Sequence, residues 1–431
     1  MIPRRQFAGG LIATAALLAT GCSSSNTSSG GTSGSAAATS FTGQELILLF
    51  TGTAQVAEKD YYLNTYIPNF EKKYGVKVTV NFVTQADGIT KVGAEQSSGK
   101  VVSDVLYVDT ANMSPYIGGG WVQDITDTVK QAKITLTDMY DSVMVKDGKR
   151  LFAPNSFDIY LVIANKKALT YLPGGVTEAT VKSGVTWEQY AEWATKIAAG
   201  EGKGRTMFPA NLTASQLLYP IGGMGLAYGA SFPSFDQPGM KDALGIIATM
   251  AKGKAFYAEQ AQYTAPTDPL KSGDVWLTFA HMGPVGIAYN AAPNNYIVGA
   301  APKGSAGAGS TSGSWAYGIQ KGAPHAALAQ EFIKYAMTPE VNYEMCSQMG
   351  GVLSPIQEVK DLLGSDDVIM SAGAEMLKGT KIAGVPSTQY KDWNAVKLLY
   401  GKVFNEVLTT KAVPADAHLT QAQADLVALK K

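Results

Sequence analysis

Leu46-Ile47-Leu48-Leu49-Phe50, followed by a Thr/Gly-rich turn from Thr51, is the stretch from which the fold is read. Five apolar residues closed by turn formers describe a short strand. Beyond the turn, Tyr62, Tyr66 and Phe70 recur every fourth residue and Gly75 stops the pattern, which predicts a helix and its end. Val76-Lys77-Val78-Thr79-Val80 then alternates with period two, and Val105-Leu106-Tyr107-Val108 follows another helical stretch. Strand, helix, strand, helix with short turns predicts an α/β fold of mostly parallel sheets covered by helices.

Further along, Trp187 to Ala199 reads as a helix opened by Thr186, and Ala326 to Met337 as a helix ending before Thr338-Pro339. Ala395 to Leu408 and Leu419 to Leu429 are helical in pattern. Gly304 to Ser314 is rich in Gly, Ser and Ala and reads as a surface loop, with a mobile segment near a hinge as the alternative.

The 431 residues suffice for two domains of ordinary size. Apolar residues make up 46% and charged residues 16%, the composition of a folded chain. Lys+Arg and Asp+Glu both number 35, so no basic surplus points to nucleic acid. Three His and two Cys cannot build a zinc finger or a disulfide scaffold. Cys346, among Tyr343, Met345 and Met349, reads as a buried structural thiol.

Arg4-Arg5, an apolar run from Phe7 to Thr20 and then Gly21-Cys22 describe an export signal over residues 1–21, by the twin-arginine or the general secretory route. Leu17-Leu18-Ala19-Thr20-Gly21-Cys22 resembles a bacterial lipobox, which implies lipidation of Cys22 and anchoring to the outer face of the cell membrane. Residues 22–43, almost wholly Ser, Thr, Gly, Ala and Asn before Phe41, read as a flexible tether. Removal of residues 1–21 takes away two Arg and no acid, leaving 33 basic against 35 acidic side chains, net −2.

No nucleophile elbow, phosphate loop or dinucleotide turn occurs, and His281, His325 and His418 are scattered. No catalytic residue, cofactor or metal is therefore assigned.

Asp104-Val105 with Asp109, Gly120-Trp121-Val122-Gln123-Asp124-Ile125-Thr126, Phe152-Ala153-Pro154 through Asn165-Lys166, and Thr186-Trp187 follow one another in a telling order. With Ser314-Trp315-Ala316-Tyr317-Gly318-Ile319, Met337-Thr338-Pro339-Glu340 and Gly350-Gly351-Val352-Leu353-Ser354-Pro355, the pattern over residues 45–431 resembles the family 1 extracellular solute-binding proteins. These are the carbohydrate-binding lipoproteins of ABC importers. Ser314 stands where the family usually has Gly, and Ser354 separates Leu353 from Pro355.

The resemblance implies a two-lobed periplasmic-binding-protein-like fold with a ligand cleft between the lobes. Lobe 1 is expected at 44–153 plus 302–352 and lobe 2 at 154–301 plus 353–431. It further implies a monomer that takes a mono- or oligosaccharide by hinge closure and hands it to ABC permease subunits. Expected ligand contacts are Thr51, Gln55, Asp109, Asp158, Tyr160, Trp276, His281 and Trp315: hydroxyl, amide and carboxylate partners for sugar hydroxyls, with rings for stacking. Thr51 and Asp109 fit equally well as turn or helix-cap residues, and Tyr160 as core. Trp121, Trp187 and Trp193 read as packing, and Trp393 could face either way. The alternatives are the same fold with a glycerophosphodiester, polyamine or peptide, or a tethered carbohydrate-active enzyme. Arg is limited to Arg4, Arg5, Arg150 and Arg205, which disfavours a phosphate clamp.

Overall fold

The computed structural model describes residues 40–52, 56–211 and 216–431. The export signal, Cys22, nearly all of the tether and Gln55 lie outside the described residues.

Among the described residues, thirteen strands follow in chain order: β1 (Glu45–Thr51), β2 (Lys77–Val83), β3 (Val105–Asp109), β4 (Val145–Lys146), β5 (Lys149–Arg150), β6 (Ala153–Asp158), β7 (Tyr160–Asn165), β8 (Thr206–Met207), β9 (Leu277–His281), β10 (Tyr296–Gly299), β11 (Lys303–Gly304), β12 (Gly307–Ile319) and β13 (Thr380–Gly384). Two sheets carry the two lobes. The first runs β11-β12-β3-β1-β2, with β6 and β13 also paired to β12; the second runs β10-β7-β9-β8.

Strands β1, β2 and β3 are parallel, as the strand–helix alternation predicts. The sheets are nevertheless mixed, because β12 returns antiparallel to both β3 and β6, and β7 runs antiparallel to β9 and β10. The chain passes from one sheet to the other through Ile159 alone, between β6 and β7. The sheets are also tied along β12, where the Tyr160 N–H of β7 donates to Ser310 Oγ at 2.9 Å; the first half of β12 pairs with β13 and the second half lies between β3 and β6. A third connection is the Gly350-Gly351 turn. It delivers Leu353 to Phe157, where each N–H donates to the other's carbonyl at 2.8 Å.

Gly304 to Ser314 corrects the loop expectation: it is β11 and most of β12. Its small side chains let the helix Leu218–Ala227 lie directly on the strand. A Cβ on Gly309 would stand 2.3 Å from the Gly223 carbonyl oxygen. Composition suggested a loop, whereas tertiary contact requires exactly such residues in a strand.

The predicted helices are present with modest shifts at their ends. Thr186 caps Trp187–Glu201 through a capping box with Gln189, and the two C-terminal helices run Trp393–Thr410 and Asp416–Ala428. Tyr62, Tyr66 and Phe70 all point inward, with a π turn over Tyr62–Tyr66 and Gly75 closing the helix at φ 69°. Trp187 and Trp193 are fully buried, as their packing role predicts.

Candidate functional site

Strand ends decide which polar groups meet. Asp109 is the last residue of β3, Asp158 the last of β6, and Tyr160 and His281 face each other across β7 and β9. Trp315 on β12 stands in register between Asp109 and Ser156. The sequence order thus brings Asp109, Asp158, Tyr160, His281 and Trp315 to the junction of the two sheets.

Asp109 accepts from Gln85 Nε2 at 2.5 Å and from Asn112 Nδ2 at 2.7 Å. Burial raises its carboxyl above the ordinary value, and Lys397, Asn112 and Gln85 oppose that rise. Asp158 Oδ2 lies 2.9 Å from His281 Nδ1. Ser312 Oγ donates to the Asp158 carbonyl at 2.7 Å, which fixes the backbone where β6 gives way to β7. The Tyr160 ring packs on Phe279 and His281. Its phenol is held well above its usual range, by burial first and by Asp158 second.

Two expected contacts stand elsewhere. Thr51 is 1% exposed and donates its hydroxyl to the Tyr107 carbonyl at 2.8 Å, so it serves the interior of the first sheet. Trp276 precedes β9, at the opposite end from His281, about 16 Å away along an extended strand. There the Arg205 guanidinium lies 4.6 Å from its ring centroid, and its indole N–H donates to Gly273. Trp276 and His281 were both expected at the site, and of the two only His281, at the end of β9, stands at the junction.

The structure adds groups that the sequence did not single out. Lys397, on the helix Trp393–Thr410, is 5% exposed. Burial lowers its ammonium below the ordinary value, against the pull of Asp109 and Asp392. Tyr219 opens the helix Leu218–Ala227 from its second position; burial raises its phenol, and Asp109 and Asp158 both act on it. Trp393 donates its indole N–H to Tyr219 Oη at 3.4 Å, which answers which way it faces. Ser387 donates to the Thr110 carbonyl, so the segment before that helix also touches the end of β3.

At the junction Asp109 acts on Lys397 and Asp158 pairs with His281, with aromatic rings at Tyr219, Trp315 and Trp393. Two open grooves of about 530 and 360 Å³ lie away from it, between the helices Trp187–Glu201 and Pro238–Lys252. Most of their charged groups are already paired, Glu188 with Tyr228, Glu192 with Lys196 and Lys241 with Asp416. They lack the convergent donors and acceptors that a small ligand needs. Among the described residues, no cluster of three or more His, Cys, Asp or Glu could hold a metal ion, and no helix is long and apolar enough to cross a membrane.

Residues 65–376 match the family model described as bacterial extracellular solute-binding protein. No curated protein sequence matches the chain. Among solved structures, the fold is similar to an ABC transporter solute-binding protein from Thermotoga lettingae bound with α-D-tagatose. The TM-score is 0.73 at 20% identity, over 90% of this chain and 99% of that one. It is also similar to maltose-bound T. maritima MalE3 (TM-score 0.72, 15% identity, 90% and 100% covered). A third is the ABC transporter solute-binding protein of Agrobacterium vitis with bound D-mannitol (TM-score 0.65, 16% identity, 88% and 97% covered). At these identities the likeness shows the two-lobed α/β fold.

Proposed function

Because the chain belongs to the bacterial extracellular solute-binding proteins, we propose that it captures a carbohydrate between its two lobes and delivers it to the permease of an ABC importer. The supporting observation is the makeup of the junction: carboxylates, an ammonium and aromatic rings drawn from both sheets onto one place. A sugar hydroxyl both donates and accepts, so it can bridge a carboxylate such as Asp109 and an ammonium such as Lys397. Sugar ring faces match the faces of Trp315, Trp393 and Tyr219. The solved structures of similar fold hold tagatose, maltose and mannitol, all polyhydroxylated and uncharged.

On this reading Asp109, Asp158, His281 and Trp315 contact the ligand, as does Gln55, and Tyr219, Trp393 and Lys397 complete the set. Lobe 1 spans 44–153 with 302–352 and lobe 2 spans 154–301 with 353–431, and closure of one on the other signals occupancy to the permease. The protein acts by binding, without covalent chemistry, as an exported monomer held at the membrane by lipid on Cys22.

A thermal-shift screen tests the reading, with monosaccharides, maltose-type oligosaccharides and polyols set against glycerophosphodiesters, polyamines and peptides. A ligand at 100 times its dissociation constant adds about 2.7 kcal/mol of stability. Stabilisation by sugars or polyols without product formation is expected. Stabilisation only by phosphodiesters, polyamines or peptides refutes the ligand class, and release of a hydrolysis product refutes the binding role.

A further inference from the structure

We infer that Tyr107 is a positioning residue that fixes the plane of Trp315 and leaves the indole one face for a ligand; this rests on the functional reading above. The two rings lie on neighbouring strands, with centroids 5.0 Å apart and planes 15° from parallel. Tyr107 therefore occupies one indole face. Among the described residues it is the one ring in contact with Trp315, whose chain neighbours Gly313, Ser314 and Ala316 are too small to hold a side chain that size.

Tyr107 is itself wedged. It is 8% exposed, with Phe50 at 4.6 Å, Tyr317 at 4.8 Å and Tyr62 at 6.2 Å between centroids. Tyr62 reaches it from the π turn after β1, and such turns often mark functional sites. The far edge of the indole is seated by Gly52, where a Cβ would stand 2.6 Å from Cη2 of Trp315. At φ 139° Gly52 also holds a backbone conformation that side chains rarely adopt. A ring fixed in this way keeps its stacking geometry without loss of side-chain freedom when ligand arrives, which is how preorganisation raises affinity. A ligand then meets the opposite face of Trp315, so a single apolar sugar face is read there.

Protein carrying 5-fluorotryptophan gives one fluorine resonance for each of its six Trp, and Trp315→Phe identifies that of Trp315. Tyr107→Leu is expected to shift or broaden the Trp315 resonance while the other five stay in place, and Tyr107→Phe, which keeps the ring, is expected to leave all six in place. Maltose serves as the binding probe, with tagatose and mannitol beside it. Tyr107→Leu is expected to weaken binding about fivefold, the scale of one aromatic pair, and Tyr107→Phe to stay within about twofold of wild type. An unmoved Trp315 resonance in Tyr107→Leu overturns the inference. So does movement of all six, which marks general loosening, or equal affinity losses in the two variants. If wild type binds none of the three probes, the fluorine spectrum decides the positioning role by itself, and the functional reading is decided by the wider screen above.

Discussion

Gly286→Ala and Gly245→Ala make the same chemical change in two helices and should move stability in opposite directions. A Cβ on Gly286 would stand 1.5 Å from the Gly350 carbonyl oxygen, half the roughly 3.0 Å that Cβ atoms reach at closest. The oxygen cannot swing aside, because Gly350 sits at φ 87° and its own Cβ position is 2.3 Å from the Gly283 carbonyl oxygen. The helix Met282–Ala291 and the Gly350-Gly351 turn must separate, at about 3 kcal/mol, the upper end of ordinary overpacking. At Gly245 the nearest atom to a new Cβ is Val413 Cγ2 at 3.8 Å, ordinary contact. Helix propensity then stabilises Gly245→Ala by up to about 1 kcal/mol. For a body of this length, unfolding entropy of about 2.1 cal/mol/K per residue converts 1 kcal/mol to about 1 °C. Calorimetric melting should therefore place the two variants about 4 °C apart, with Gly286→Ala below wild type and Gly245→Ala at or above it. The Gly350 turn also delivers Leu353 to Phe157, next to Asp158, so Gly286→Ala should weaken ligand binding as well. Gly286→Ala melting at or above wild type would refute the backbone-on-backbone contact and the placement of the third connection.

Trp187→Ala should cost about 3–5 kcal/mol in urea titration, because the indole is fully buried against Tyr190 and Phe279. Trp187→Phe should lie within about 1 kcal/mol of wild type, since it also removes a buried N–H without a partner among the described residues; equal losses would contradict this. Burial alone would raise the Glu95 carboxyl, yet Lys91 and the N–H groups of Ser103 and Val102 outweigh it and hold it below the ordinary 4.5. The ionised group thus stabilises the fold above that value and ceases to as pH falls through the lowered one. Glu95→Gln should cost about 1–2 kcal/mol at pH 7 and progressively less below pH 4.5, and a pH-independent difference would refute the assignment. Cys346 is fully buried, and burial pushes its thiol far above the ordinary range. In a Cys22→Ser background it should react with Ellman's reagent only as fast as the protein unfolds, and rapid native labelling would contradict its burial.

Local signals carried well from sequence to structure. The apolar run of β1, the alternation of β2, the Thr186 cap and the stop at Gly75 depend on neighbours a few residues away, and all stand where the pattern put them. Long-range packing was less legible. Gly304–Ser314 has the composition of a loop, but it is a strand because a helix presses on it through Gly223 and Gly309. Trp276 lies just before β9, at the end away from the junction, while His281 closes the strand at the junction; the residues of that segment do not tell which of its two ends meets the site. Lys397 gave no signal: a lysine in an amphipathic helix reads as solvent-facing, and the carboxylate that acts on it, Asp109, lies at the end of β3, nearly three hundred residues earlier in the chain. Thr51 shows the converse, a polar residue at a strand's carboxyl end whose hydroxyl is claimed by the next strand.

The account stands on a sugar held from both sheets at once, and calorimetric titration of one sugar with three proteins tests it. The sugar is whichever gives wild type its largest thermal shift. The proteins are wild type, Trp315→Ala on the first sheet's β12, and Trp393→Ala on the C-terminal helix that meets Tyr219. The account predicts one-to-one binding by wild type and a loss of roughly tenfold in each variant, the scale of one stacked ring lost. Unchanged affinity in either variant would place the sugar on one side of the junction and contradict capture between the lobes.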